Sequence, residues 1–81
     1  MKKRIEVHIM DEQIELGRYY MSWDAVLNEE FSRQGDNVWS SNSEYWSGYD
    51  DESAEDTKKF VEERLTEYGI TEFYVEIEEY E

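Results

Sequence analysis

Six carboxylates recur along one stretch of the chain: Glu52, Glu55, Asp56, Glu62, Glu63 and Glu67. On a helix rising about 1.5 Å per residue, they extend over roughly 22 Å. A line of ionised carboxylates attracts Lys and Arg, as nucleic-acid phosphates do. Duplex DNA carries one charge per roughly 1.7 Å, and this line, with Lys59 in the same arc, reaches about a third of that density. Like charges also fall at i,i+4 spacing, Glu52 with Asp56 and Glu63 with Glu67. Each such pair is mildly destabilising, where a lone helix gains from Lys four residues after Glu. Glu44, Asp50 and Asp51 precede the line, and Glu76 and Glu78 follow it, which widens the array. Trp46 and Tyr49 stand among these acids, and aromatic residues are enriched in binding surfaces and their hot spots. The candidate partner-binding residues are therefore Glu44, Trp46, Tyr49, Asp50, Asp51, Glu52, Glu55, Asp56, Glu62, Glu63 and Glu67. The plain alternative is a solvated helix face.

Other chemistries find less support. Asp50-Asp51-Glu52 with Glu55 and Asp56 offers many oxygens, but an EF-hand needs fixed acidic spacing around a central Gly. Here Gly48 comes before the acids, so no dedicated metal site and no cofactor is expected. The chain has no Cys, which removes disulfides, zinc ribbons and thiol nucleophiles. Its one His, His8, sits beside Glu6 on the outward side of a strand and reads as a surface residue. No phosphate-binding Gly loop or nucleophile elbow is present. The expectation is a protein that is not an enzyme.

The whole chain has 81 residues, 22 Asp and Glu against 8 Lys and Arg, and a formal net charge of -14. That exceeds the magnitude of about 2–8 that keeps a small domain soluble, and the excess adds self-repulsion. The charge is uneven. Residues 34–57 hold seven acids and no base, while residues 1–33 hold seven acids and five bases. Such a surface repels nucleic acid and anionic membranes and is steered towards basic partners. No apolar run approaches a membrane span, and the basic start Met1-Lys2-Lys3-Arg4 leads into Glu6 and His8 without an apolar signal core. A cytoplasmic protein is expected.

The elements that must position these residues follow from periodicity. Ile5, Val7 and Ile9 alternate with Arg4, Glu6 and His8, which predicts a half-buried strand. Met10–Gln13 reads as a turn, and Ile14 to about Met21 as a hairpin-paired second strand. One long helix through Leu16, Tyr20, Trp23, Leu27 and Phe31 is the rival reading, opposed by Gly17 and Ser22. A helix then follows, with Ser22 as N-cap, Trp23, Val26, Leu27, Glu30 and Phe31 sharing one face, and Gly35 as its stop. Residues 36–53 show no periodicity and read as an irregular acidic and aromatic segment. Its aromatics either pack back on the core, with a short strand near Glu44–Ser47, or form a partner surface. Ser53–Asp56 resembles a capping box for a second helix whose apolar arc is Ala54, Thr57, Phe60, Val61, Leu65 and Tyr68, closed by Gly69. Ile70–Tyr80 reads as a final strand with Phe73, Val75 and Ile77 inward, and it is expected to neighbour the first in the sheet.

The expected architecture is one α+β domain over 1–81: a small two-layer sandwich, a sheet of two to four strands with two helices on one face. In size, acidity and lack of Cys the chain resembles the small inhibitors of bacteriophages and mobile elements, such as uracil-DNA glycosylase inhibitors, anti-restriction proteins and anti-CRISPR proteins. No motif is shared. The resemblance implies a nucleic-acid mimic that blocks the basic groove of a DNA- or RNA-binding protein. The alternatives are an immunity or antitoxin-type protein that neutralises a basic nuclease, and an acidic adaptor without mimicry.

Overall fold

The computed structural model describes residues 1–80. Strand β1 (Lys2–Ile9) is followed by a 3-10 turn (Asp11–Gln13), helix α1 (Ile14–Trp23) and helix α2 (Ala25–Glu30). Three short strands come next, β2 (Phe31–Arg33), β3 (Val38–Ser41) and β4 (Tyr45–Trp46), then helix α3 (Asp51–Glu67) and strand β5 (Phe73–Tyr80). Among the described residues the chain is α+β, with a sheet of five strands rather than two to four and three α-helices rather than two.

Strand β1 is central. It pairs antiparallel with β5 over its whole length, from Lys2 opposite Tyr80 to Ile9 opposite Phe73. On its other side it pairs with β3 through Glu6–His8 and with β4 through Lys2 and Lys3. Strand β2 extends that side by pairing with β3. The alternation of β1 divides the sheet into two faces. Ile5, Val7 and Ile9 are fully buried together with Leu27, Val61, Leu65 and Ile70, and Trp39 and Val75 are buried beside them. Lys2, Arg4, Glu6 and His8 occupy the open face and are half-buried.

Three expectations are corrected. Residues 14–23 are helix, not strand. Gly17, which argued against the helix, is there because α1 lies directly on β1: a Cβ at Gly17 would stand 2.4 Å from Ile9 Cδ1. The next helix starts not at Ser22 but after Asp24, whose carboxylate accepts hydrogen bonds from the Val26 and Leu27 amides at 3.0 and 3.1 Å. That leaves Ser22, Trp23 and Val26 exposed, so Trp23 and Val26 are not core residues. The helix also stops before Gly35, because Phe31 is extended and starts β2.

Residues 36–53 are likewise more ordered than their sequence reads. A β2–β3 hairpin turns through Gln34–Asn37, and β4 confirms the short strand expected near Glu44–Ser47. The aromatics divide: Trp39 and Tyr45 are buried, while Trp46 and Tyr49 are exposed. Helix α3 begins two residues before the expected capping box, with Asp50 at the N-cap position. Its end is as expected, since Gly69 has φ +85° and the Ile70 amide donates to the Leu65 carbonyl at 3.0 Å. Ile70 itself belongs to the connection, and β5 starts at Phe73.

Candidate acidic interface

Helix α3 is amphipathic, and its inner side is fixed first. Ala54, Val61 and Leu65 are buried against the sheet. With that side inward, Glu52, Glu55, Asp56, Glu63 and Glu67 are exposed and Glu62 lies at the rim. Among the described residues, none of these six carboxylates forms an ion pair. Asp51 and Glu52 in the first turn and Arg64 in the last suit the helix dipole. The other acids gain nothing from it, because the effect fades within a turn of each end.

The remaining acids of the candidate set are engaged in the fold. The chain from Trp46 to Asp50 is a tight turn in which the Asp50 amide donates to the Trp46 carbonyl at 2.8 Å. The Asp50 carboxylate accepts the Trp46 amide at 2.8 Å, and the Asp51 carboxylate accepts the Gly48 amide at 3.1 Å. Gly48 has φ +88°, which a residue with a side chain rarely adopts. Asp51 also accepts from Lys3 at 2.9 Å, and that bond, with the Gly48 amide, holds its carboxyl below the usual aspartate range. Glu44 accepts a hydrogen bond from the Tyr80 hydroxyl and lies 3.5 Å from Lys2. The Tyr80 bond first, then Lys2, lowers its carboxyl as well.

Structure thus sorts the nine predicted carboxylates into two groups. Glu44, Asp50 and Asp51 tie β4 and the turn to β1 and β5. Glu52, Glu55, Asp56, Glu62, Glu63 and Glu67 form an unpaired outer arc. Tyr49, at 92% exposed, stands at the N-terminal end of that arc, and Trp46, at 52%, lies nearby with Lys2 5.2 Å from its ring centre.

Two features were missed in the sequence. Asp24 is a buried junction as well as a cap: Arg64 donates to it at 2.8 Å and the Tyr68 hydroxyl also donates. Burial pushes the Asp24 carboxyl up, but Tyr68, the Leu27 amide and Arg64 together hold it below the usual aspartate range. The cap was readable from Asp24 before Ala25-Val26-Leu27, whereas partners 40 and 44 residues away were not. The second is an aromatic cluster on α1, with Tyr20 stacked on Tyr68 at 4.1 Å and Trp23 edge-on to both. Trp23 and Tyr19 remain exposed there.

Among the described residues, no helix is long and apolar enough to cross a membrane. Compared with known families, with curated proteins and with solved structures, the chain finds no match.

Proposed function

We propose that this protein is a nucleic-acid mimic that binds the basic groove of a DNA- or RNA-binding protein and blocks it without catalysis. The observation that carries the reading is the outer arc of α3: six carboxylates in sequence order along one helix, none in an ion pair among the described residues. Carboxylates that hold no part of the fold together remain free to pair with Lys and Arg of a partner. Tyr49 and Trp46 supply aromatic area beside them, the type of residue that anchors interfaces. Glu44, Asp50 and Asp51 take a supporting part, since their charge is already answered within the chain.

Binding on this account is electrostatic and steric. It is fast at low salt and weakens steeply as salt rises, because exposed charges are screened over about 10 Å at 0.1 M. The setting that suits it is the cytoplasm of a cell whose nucleic-acid enzymes the protein restrains, as phage-borne anti-restriction and anti-CRISPR proteins do. The test is a pull-down with tagged protein from cell lysate at low salt, repeated with a high-salt wash and with added duplex DNA. Recovery of a nucleic-acid-binding protein that both salt and DNA displace is the expected result. A partner that resists both sinks the proposal. A toxin nuclease as sole partner redirects it to the immunity reading.

A further inference from the structure

The open face of the sheet holds a second constellation, independent of the α3 arc. Glu6, His8 and Glu76 bring three donor atoms within 4.8 Å of one another. His8 Nε2 lies 3.3 Å from Glu6 Oε1 and 3.6 Å from Glu76 Oε1. Strand register produces this arrangement. Glu6 and His8 are two residues apart on β1 and so share a face, and Glu76 is the direct cross-strand partner of Glu6.

Two carboxylates directly opposite each other in a sheet repel, so the pair calls for a cation. The neighbouring cations of this face are engaged elsewhere. Arg4 lies over the Tyr80 ring at 4.0 Å, and Lys2 faces Trp46 and Glu44. The His8 ring is held in place by stacking on Tyr74, with centres 4.4 Å apart and planes 7° from parallel. The side chains of His8 and Glu6 are only 18% and 21% exposed and that of Glu76 is 46% exposed, so two of the three donors are partly withdrawn from water.

We infer that Glu6, His8 and Glu76 form a binding site for a divalent first-row transition ion, with zinc the best match. Zinc takes imidazole nitrogen and carboxylate oxygen at about 2.0–2.2 Å in a tetrahedron, which sets donor separations of roughly 3.3–3.5 Å. The two His8 separations lie at that spacing within a few tenths of an ångström. An imidazole among the donors favours zinc-like ions over calcium or magnesium, which prefer oxygen alone. Three protein donors leave a fourth position for water or for a donor from another molecule.

One His and no Cys in the sequence make the test clean, because a ring-nitrogen signature has a single origin. Zinc is titrated into the full chain in moderate salt with excess Mg²⁺, which occupies the general acidic surface. Calorimetry reads the stoichiometry, and proton–nitrogen NMR reads the His8 ring. One zinc per chain with a shift of the His8 ring nitrogen is expected. Glu6→Gln and Glu76→Gln each weaken binding by at least about tenfold, His8→Gln abolishes the one-to-one phase, and Glu63→Gln leaves it unchanged. Zinc uptake without a ring shift, or equal uptake by His8→Gln, overturns the site and leaves His8 as an ion-pair partner only. If His8→Gln fails to fold by circular dichroism, the ring signal of the unaltered protein decides alone.

Discussion

Helix α3 meets carboxylates on both of its sides, and the two sides treat them in opposite ways. On the inner side Asp24, 3% exposed, accepts from two backbone amides, Arg64 and the Tyr68 hydroxyl. On the outer side five carboxylates face solvent and Glu62 lies at the rim, none of them in an ion pair among the described residues. Burial explains the first arrangement, since a buried charge is tolerated only when paired and hydrogen-bonded. No such demand acts on the outer side, where the carboxylates outnumber the one lysine of their arc, Lys59. The inner carboxylate is therefore part of the fold. The outer ones form no ion pair within it, and the proposed function assigns them to a partner.

This contrast can be broken most forcefully at Asp24. Asp24→Ala removes a cap and leaves Arg64 and Tyr68 without their acceptor. The expected loss is about 3 kcal/mol by chemical denaturation, the low end for breaking a buried pair because the Arg64 side chain is 34% exposed. A loss within experimental scatter would mean that the junction does not hold α2 to α3. Next comes Gly17→Ala, where the new methyl meets Ile9. Overpacking of this kind costs about 1–3 kcal/mol, against the gain Ala brings to a free helix. A more stable variant would contradict the close approach of α1 to β1.

Acid sharpens the comparison further. The Asp24 carboxyl is lowered from its ordinary value of 3.8, so its contribution is full above that pH and is lost as the pH falls through the lowered value. Urea midpoints followed below about pH 4 should fall more steeply for the unaltered protein than for Asp24→Ala. Parallel profiles would contradict the assignment. The smallest stability effect is expected from the outer side. Glu55→Lys, Asp56→Lys and Glu63→Lys together should change stability by no more than about 0.5 kcal/mol, because relief of the Glu52–Asp56 and Glu63–Glu67 pairs is offset by new like-charge pairs with Lys59. Clear destabilisation in thermal melts would place these carboxylates within the fold after all.

The sequence was readable where local pattern decided the outcome. Ile5, Val7 and Ile9 alternate, Val61 and Leu65 recur at helical spacing, and Gly69 closes α3 as its type suggests. The outer arc followed from the same periodicity. Much of what was misread depended on distant parts of the chain. Gly17 is a helix breaker by type, but its place in α1 is set by contact with Ile9. Strands β2 and β3 are rich in Ser with Arg33 and Asn42 at their margins, residues of modest strand preference, and they exist because Trp39 packs beside Val7 and Phe31 reaches the core. The junction of Asp24 with Arg64 and Tyr68, and the meeting of His8 with Glu76, required the tertiary pairing of segments far apart in sequence. Asp50 and Asp51 had the right type for an acidic surface, yet the turn at Gly48 uses their oxygens.

The most direct measurement of the central claim runs the low-salt pull-down in parallel with the unaltered chain and the Glu55→Lys, Asp56→Lys, Glu63→Lys variant. The account predicts that the unaltered chain retains a nucleic-acid-binding protein that duplex DNA releases, and that the equally stable variant retains none of it. Equal recovery by both chains, or no DNA-displaceable partner for either, would contradict the claim that the outer arc of α3 is a surface built for a basic groove.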